Sequence, residues 1–182
     1  SHSLGIIFFA LSSQYLISSP IDHHQERFED VALKIWEYAE LGYLEEKSSS
    51  LLQQELKDSG FTIQSGVAGI PTAFIAEYNN GGPVLGILGE FDALPGLSQQ
   101  NVPFKTAEGL SSANGHACGH HLFGAASAWA VVAIKDWLEE SGTPGTIRFY
   151  GTPAEEGGSG KVYIARDGYF DDVDIVLHWH PA

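Results

Sequence analysis

Strand-like apolar runs alternate with helix-like segments along most of this chain, and this alternation limits the folds it can adopt. The strand-like runs lie at 72–78, 84–89, 146–151 and 173–178, and the helix-like segments lie at about 22–42, 49–59, 122–139 and 161–166. Segment 122–139 is apolar on most faces, which is typical of a buried helix. The pattern predicts an α/β fold with three layers, in which helices cover both faces of a mixed, largely parallel sheet.

Local signals also predict where elements begin, end and turn. Asp22 followed by Gln25 has the form of a capping box at the start of the first helix, and Gly42 supplies a stop. The run Asn79-Asn80-Gly81-Gly82 lies between two strand-like runs and is a strong hairpin signal. We therefore expect strands 72–78 and 84–89 to pair directly.

The composition excludes several classes of protein. The formal net charge is −14, which argues against nucleic acid or an anionic membrane surface as a partner and suits a protein that holds divalent cations. A single cysteine excludes an internal disulfide framework. No stretch of the chain after the apolar segment 4–10 approaches the length of a membrane span. We therefore expect no membrane association in the mature form.

The first residues have the form of an export signal. Segment 4–10 is apolar and leads into the small-x-small sequence Ala10-Leu11-Ser12, as in a signal peptide without its basic start. We expect residues 1–19 to be a trimmed signal peptide, with the protein periplasmic or secreted, and residues 20–182 to form the folded part. The alternative is a first core strand or helix in a cytoplasmic protein.

Chemically active residues directly follow predicted strands. Glu90 and Asp92 follow one strand, Glu155 and Glu156 follow another, and His180 follows a third. In sheets of this type, ligands bind beyond the carboxyl ends of the strands. The sequence therefore predicts a single site at that edge of the sheet.

The densest cluster is the run 115–121, in which three histidines and the only cysteine fall close together. Thiolate and imidazole suit zinc and similar metals. Residues two apart point in opposite directions on a helix but share a side in an extended segment, so we expect 116–120 to be a loop that delivers Cys118 and His120 together. The helix would then begin near His121, and its N-terminus would favour a thiolate. Alternatives are a core cysteine beside surface histidines and a cysteine nucleophile paired with a histidine.

The other candidates have weaker signals individually. The adjacent Glu155 and Glu156 lie in a Gly-rich turn that can aim them apart, so that one ligates a metal and the other accepts a proton from water. His178 and His180 have the same two-residue spacing as Cys118 and His120. Glu90 and Asp92 are expected to orient ligating imidazoles, or to ligate directly.

Four motifs in fixed order resemble a known family. GEFDALPG (89–96), GHACGHH (115–121), GTPAEEGG (151–158) and DIVLHWHP (174–181) are similar to motifs of the metal-dependent amidohydrolases and carboxypeptidases related to aminoacylase, indole-acetyl-amino-acid hydrolase and hippurate hydrolase. The resemblance covers about residues 22–182 and is strongest to the aminobenzoyl-glutamate utilization protein B branch. It implies the N-terminal portion of a zinc-exopeptidase-like catalytic domain.

The resemblance also implies roles for individual residues. The metal ligands would be Cys118, His120, Glu156 and His180, holding two divalent ions (Zn or Mn), and Glu155 would be the general base. Asp92 matches the acidic residue of the family's upstream motif. Together with the residue-based candidates, the residues expected near the site, as possible ligands or as partners of ligands, are Asp92, Glu90, His116, His121 and His178. His121 stands where many relatives carry Asp, and His178 where most carry a small residue.

The resemblance implies hydrolysis of the amide bond of N-acyl or N-aroyl amino acids or small peptides, with aminobenzoyl-glutamate as the obvious candidate. Relatives are more than twice as long and carry a lid or dimerisation domain and a further ligand histidine downstream. We therefore expect a homodimer for the full-length protein and no activity for this segment alone. The alternatives are a non-hydrolytic member that binds metal or an acylated amino acid, an inactive fragment, and a lone structural zinc site.

Overall fold

The computed structural model describes residues 20–106 and 113–182. The helices in these ranges are α1 (Gln25–Tyr38), α2 (Glu46–Asp58), α3 (His120–Ser141), α4 (Glu155–Gly158) and α5 (Gly160–Arg166), with a 3-10 turn at Val67–Gly69. The strands are β1 (Thr62–Ser65), β2 (Phe74–Asn80), β3 (Val84–Gly89), β4 (Gly145–Gly151) and β5 (Ile175–Leu177). The predicted export signal lies outside the described residues and stays a prediction.

The strands form one sheet in the order β1-β2-β4-β3-β5. Strand β2 is antiparallel to both of its neighbours, whereas β3 is parallel to β4 and to β5. All strands except β2 therefore run in the same direction. This confirms the predicted mixed, largely parallel sheet, although β1 had no recognisable signal in the sequence.

The predicted hairpin between β2 and β3 is wrong. Gly81 and Gly82 do adopt the positive φ angles typical of a tight hairpin turn, at 65° and 64°. The two strands are nevertheless separated by β4, which pairs with both of them. Thr146, at the start of β4, contacts the turn directly: its N–H donates to the Pro83 carbonyl at 2.9 Å and its hydroxyl to the Gly81 carbonyl at 3.1 Å. The turn thus reverses the chain, but a strand from much later in the sequence occupies the space between its arms.

Alternate side chains of the central strands enter two separate cores. Phe74, Ile87 and Phe149 pack on one face, where they meet buried residues of α1, α2 and α3. Ile75 and Tyr150 pack on the other face, against residues from α5 and from the segment that follows it. The predicted three-layer arrangement is confirmed, and it leaves the carboxyl ends of β3 and β4 at one edge of the sheet.

Helix α1 differs from its predicted ends. Its N-cap is His24, which makes no side-chain capping bond, so the predicted capping box does not form. The His24 ring instead meets the Asp136 carboxylate on α3 at 2.7 Å. The helix ends at Tyr38 because Ala39 turns into the left-handed region at φ 41°, three residues before Gly42. No helix in the described ranges combines the length and apolar character needed to cross a membrane.

Candidate metal centre

The loop before α3 brings the only cysteine next to two histidines. Gly119 adopts φ 79°, and α3 begins directly after it at His120, one residue earlier than predicted. Cys118 Sγ lies 3.3 Å from His180 Nε2, which lies 3.3 Å from His120 Nε2. Three donor atoms from two distant segments of the chain therefore converge on one point.

The orientation of His120 is set by Asp92. The imidazole is fully buried, and its Nδ1 lies 2.9 Å from Asp92 Oδ1 and 3.0 Å from the Asp92 carbonyl. A proton on Nδ1 that is donated to this acid leaves Nε2 free to ligate, which is the usual arrangement of a metal-bound histidine. Asp92 Oδ2 also accepts a hydrogen bond from the Glu156 N–H at 2.9 Å. One carboxylate thus aligns the start of α3 with the turn that carries Glu155 and Glu156.

Three further carboxylates surround His120 Nε2. The nearest oxygens of Glu90, Glu155 and Glu156 lie 2.9, 3.8 and 3.9 Å from it. Glu156 Oε1 is buried and accepts no hydrogen bond, and Glu90 Oε2 is buried with the His120 ring as its partner. Buried carboxylate oxygens are costly unless a cation compensates their charge. The geometry therefore favours positive charge in the space that these oxygens share.

The donor atoms fit metal ions. Within the part of the chain that the structure describes, two groups have ligand atoms close enough to hold a metal: Cys118 with His120 and His180, and Glu90 with His120 and Glu155. Ligands of a tetrahedral zinc ion lie roughly 3.3–3.6 Å from each other, given bonds of about 2.0–2.3 Å to the metal. The measured separations in the first group match this spacing, and His120 belongs to both groups. The second group contains Glu90 and Glu155. The sequence analysis had instead given Glu156 as the glutamate that ligates a metal.

The charges of the buried residues are strongly coupled. Burial would lower the pKa of His120, but the carboxylates of Asp92 and Glu90 outweigh it and raise that pKa to about 10. Burial would likewise raise the pKa of Glu90, but His120 and Lys161 lower it to about 2. The metal-free protein therefore holds an imidazolium between two carboxylates, and a bound cation would take the place of its Nε2 proton.

The pKa of the Cys118 thiol is shifted in the opposite direction to the one expected from the helix N-terminus. Burial and the neighbouring Glu156 carboxylate raise the pKa of its thiol to about 11, and Glu155 and Glu90 add to this effect. A nucleophilic cysteine requires a lowered pKa, so the environment argues against the nucleophile alternative. A bound cation is what would deprotonate this thiol.

The remaining predicted histidines lie outside both groups. His116 and His121 pack against the Trp36 ring, and burial lowers the pKa of each to about 4, so both are neutral. His116 Nε2 lies 3.0 Å from the Ile35 carbonyl, which attaches the loop to α1. His178 Nε2 lies 3.3 Å from Glu90 Oε1, an oxygen that Lys161 also contacts.

Glu45 is a buried acid near the site that the sequence interpretation missed. Its Oε1 accepts a hydrogen bond from the Ala154 N–H at 2.8 Å, and its Oε2 from the Thr72 hydroxyl at 3.1 Å. The carboxyl is fully buried. The only signal in the sequence was an acidic residue among others at the start of a helical segment, which ordinarily indicates a solvated helix end.

We expect the buried Glu45 to make the free energy of unfolding depend on pH. Burial raises its pKa to about 7, with a smaller contribution from Asp92, against the lowering effect of its hydrogen bonds. Because the folded pKa lies above the ordinary value, the stabilisation is complete below about pH 4.5 and is lost as the pH rises through 7. Between pH 4.5 and 8 the metal-free wild type should lose on the order of 2–3 kcal/mol more than E45Q. Urea unfolding of both chains at the two pH values measures this, and parallel pH profiles would contradict it.

Comparison with known proteins places these residues in a family. Residues 86–181, more than half of the chain, match the model of peptidase family M20/M25/M40. Similar curated proteins include a component of the p-aminobenzoyl-glutamate hydrolase of Escherichia coli, 47% identical over 91% of this chain and 34% of that protein. Another is the Xaa-Arg dipeptidase of Homo sapiens, 32% identical over 89% of this chain and 37% of that protein. The chain thus spans about a third of the length of these relatives.

A solved structure agrees with the fold. The Bacillus subtilis YXEP protein, described as a dinuclear metal binding peptidase, is 25% identical and superposes with a TM-score of 0.72 over 88% of this chain and 44% of that one. The fold of this chain is thus of the same kind as the fold of that peptidase. It carries carboxylates at strand ends, a Cys-x-His loop at the start of a buried helix, and a downstream histidine that converges on them. The chain belongs to peptidase family M20/M25/M40.

Proposed function

We propose that this chain carries the metal-binding part of a hydrolase that cleaves the amide bond of N-acyl or N-aroyl amino acids or small peptides. The observation that carries the proposal is the convergence of Cys118, His120 and His180 beside three carboxylates, among which Glu156 has a buried oxygen without a hydrogen-bond partner. A structural zinc site is closed by four protein ligands. Here Glu155 is substantially exposed, at 41%, so that substrate and water have access to the donor atoms.

Two divalent ions, zinc or manganese, are the proposed cofactors. Cys118, His120, Glu156 and His180 are the proposed ligands, and Glu90 lies close enough to join them. Such ions supply Lewis-acid polarisation of a carbonyl and compensation of the negative charge that develops on its oxygen. Asp92 holds His120 in the orientation that this requires.

Glu155 is the proposed general base. Its side chain is exposed and its Oε2 lies 3.8 Å from His120 Nε2, so it can accept a proton from a water beside the donor atoms. As the water oxygen bonds to the carbonyl carbon and the carbon–nitrogen bond breaks, the same proton passes to the leaving nitrogen. The atoms of one water are thereby divided between the two products: the acid gains the oxygen and the amine gains the proton. No covalent enzyme intermediate is formed.

The proposed substrate is an aroyl-glutamate such as p-aminobenzoyl-glutamate. The support is the E. coli relative, which is named for hydrolysis of that compound and is 47% identical over nearly all of this chain. The human relative is named for a dipeptide with a C-terminal arginine, so a Xaa-Arg dipeptide is the natural competitor in an assay.

The test uses the full natural polypeptide that contains these 182 residues. After removal of metal with a chelator, the protein is reloaded with Zn²⁺ or Mn²⁺ and given p-aminobenzoyl-glutamate, hippurate or a Xaa-Arg dipeptide. We expect hydrolysis that falls at least a hundredfold on chelation and recovers on reloading, with the highest kcat/KM on the aroyl-glutamate. Hippurate is a matched control because it keeps an aroyl group but lacks the glutamate side chain. Bound metal without hydrolysis of any of the three amides would replace this function with the binding-only alternative.

Two further properties are proposed from the family resemblance and the N-terminal sequence. The full natural polypeptide is proposed to form a homodimer, which light scattering tests. Residues 1–19 are proposed to direct export, which N-terminal sequencing of the mature protein tests.

A further inference from the structure

One segment of the chain contacts both loops that carry the candidate metal centre. We call residues 40–45 the brace segment. The Glu40 carbonyl accepts a hydrogen bond from the Ala93 N–H at 2.8 Å, next to Asp92. At the other end, Glu45 accepts one from the Ala154 N–H at 2.8 Å, next to Glu155. The brace segment thus fixes the two loops relative to each other.

The brace segment also holds the far end of the turn that carries Glu155. The Tyr43 hydroxyl donates to the Gly158 carbonyl, four residues after Ala154. A Cβ added to Gly42 would lie 3.0 Å from both Cα and Cβ of Ala154, so the two backbones pack closely. Both ends of helix α4 are therefore attached to one short segment.

The backbone at Ala154 explains why a strong acceptor is needed there. Ala154 has φ 57°, a left-handed conformation that a residue with a side chain rarely adopts. It is also 1% exposed, so its N–H cannot turn to water. The Glu45 carboxyl satisfies this donor and is itself secured by Thr72. A buried acid in such a place is explained by the backbone conformation that it maintains.

We propose that Glu45 is a positioning residue for the hydrolysis proposed above, holding the Ala154 N–H so that Glu155 and Glu156 keep their places beside His120. The inference rests on that proposed function for its catalytic part. The reason for a large effect is geometric: a displacement of about 1 Å of a reacting group can cost on the order of a hundredfold in rate. The Glu156 N–H must also stay within reach of Asp92 Oδ2, now at 2.9 Å.

The test compares E45M, which keeps the length of the side chain but removes the acceptor, with E45Q, which keeps an acceptor. L56A is the control for a general loss of stability, because Leu56 is fully buried in the core on α2. In the metal-loaded full natural polypeptide we expect E45M to lower kcat about 10–100-fold with KM within threefold and metal content unchanged. E45Q should stay within threefold of wild type, and L56A should change the melting temperature but not kcat.

A second readout does not depend on turnover. Hydrogen exchange at the Ala154 amide should be slow in the wild type and in E45Q, and fast in E45M. The proposal is overturned if the wild-type Ala154 amide exchanges freely, if E45M lowers kcat no more than L56A, or if E45Q loses as much activity as E45M. If the wild type hydrolyses no amide, the proposed function fails, while the exchange pattern still decides whether Glu45 holds the turn.

Discussion

Replacing Glu155 by glutamine should lower kcat by about 10²–10⁴-fold while the protein keeps its full metal content. Glutamine has nearly the same shape as glutamate but cannot accept a proton from water, so the chemical step loses its base. The exposed position of Glu155 leaves little structural cost, because its side chain is 41% open to solvent. The measurement pairs steady-state kinetics on p-aminobenzoyl-glutamate with metal analysis of the same preparation.

Two matched variants make this result specific. E140Q changes an exposed acid near the end of α3 and should leave both quantities unchanged. E156Q should instead reduce metal content, since Glu156 Oε1 is buried, without a hydrogen-bond partner and 3.9 Å from His120 Nε2. Glu155 Oε2 lies at the nearly equal distance of 3.8 Å. If E155Q loses metal and E156Q keeps it, the two acids have exchanged roles.

Replacing His120 by alanine should have the largest effect on metal binding, because this residue belongs to both candidate ligand groups. We expect the bound metal to fall from two ions to fewer than one per chain and hydrolysis to fall by more than about a thousandfold, since His120 Nε2 lies among the proposed ligand atoms of His180 and Glu156. The loss of the imidazole also leaves the buried Glu90 and Asp92 without their shared cation in the metal-free state. Removing one partner of a buried ion pair typically costs about 3–5 kcal/mol.

The experiment measures metal stoichiometry by elemental analysis and stability by urea unfolding of the metal-free protein. H23A is the control, because His23 is exposed, lies before α1 and belongs to neither ligand group. A chain that keeps two ions after H120A would refute the assignment of His120 as a ligand. Retention of one ion at full occupancy would mean that one of the two groups binds a metal without His120.

Much of the fold, and most of the residues that come together at the candidate site, could be predicted from the sequence. Apolar periodicity identified the elements near 25–38, 120–141 and 145–151. This works because the side chains that a helix or strand turns to one face recur at a fixed spacing among neighbouring residues. The strand-end rule located the carboxylates, and the motif at 115–121 located Cys118 and His120. The charges of these residues could not be predicted, since they depend on which buried groups face each other.

Pairing between distant segments is where prediction from the sequence failed. Gly81 and Gly82 do form a tight turn, as their residue types require, but β4 lies between the strands that this turn connects. A turn is decided by the conformational freedom of its own residues. Which strand fills the neighbouring place in the sheet is decided by burial of both faces across the whole domain.

Residue types and their order are enough to show the chemistry available to this protein: a thiol, imidazoles and paired acids placed next to strand ends. The arrangement of these groups in space depends on the folded chain. The tertiary structure turned His120 so that Nδ1 meets Asp92 and Nε2 meets His180, and it raised the pKa of the Cys118 thiol through burial and its acidic neighbours. It also placed Glu45, 109 residues away in the chain, against Ala154. Residue types and local periodicity describe only residues that are near each other in the chain. Burial, hydrogen bonds and charge interactions instead depend on which distant groups the fold brings into contact.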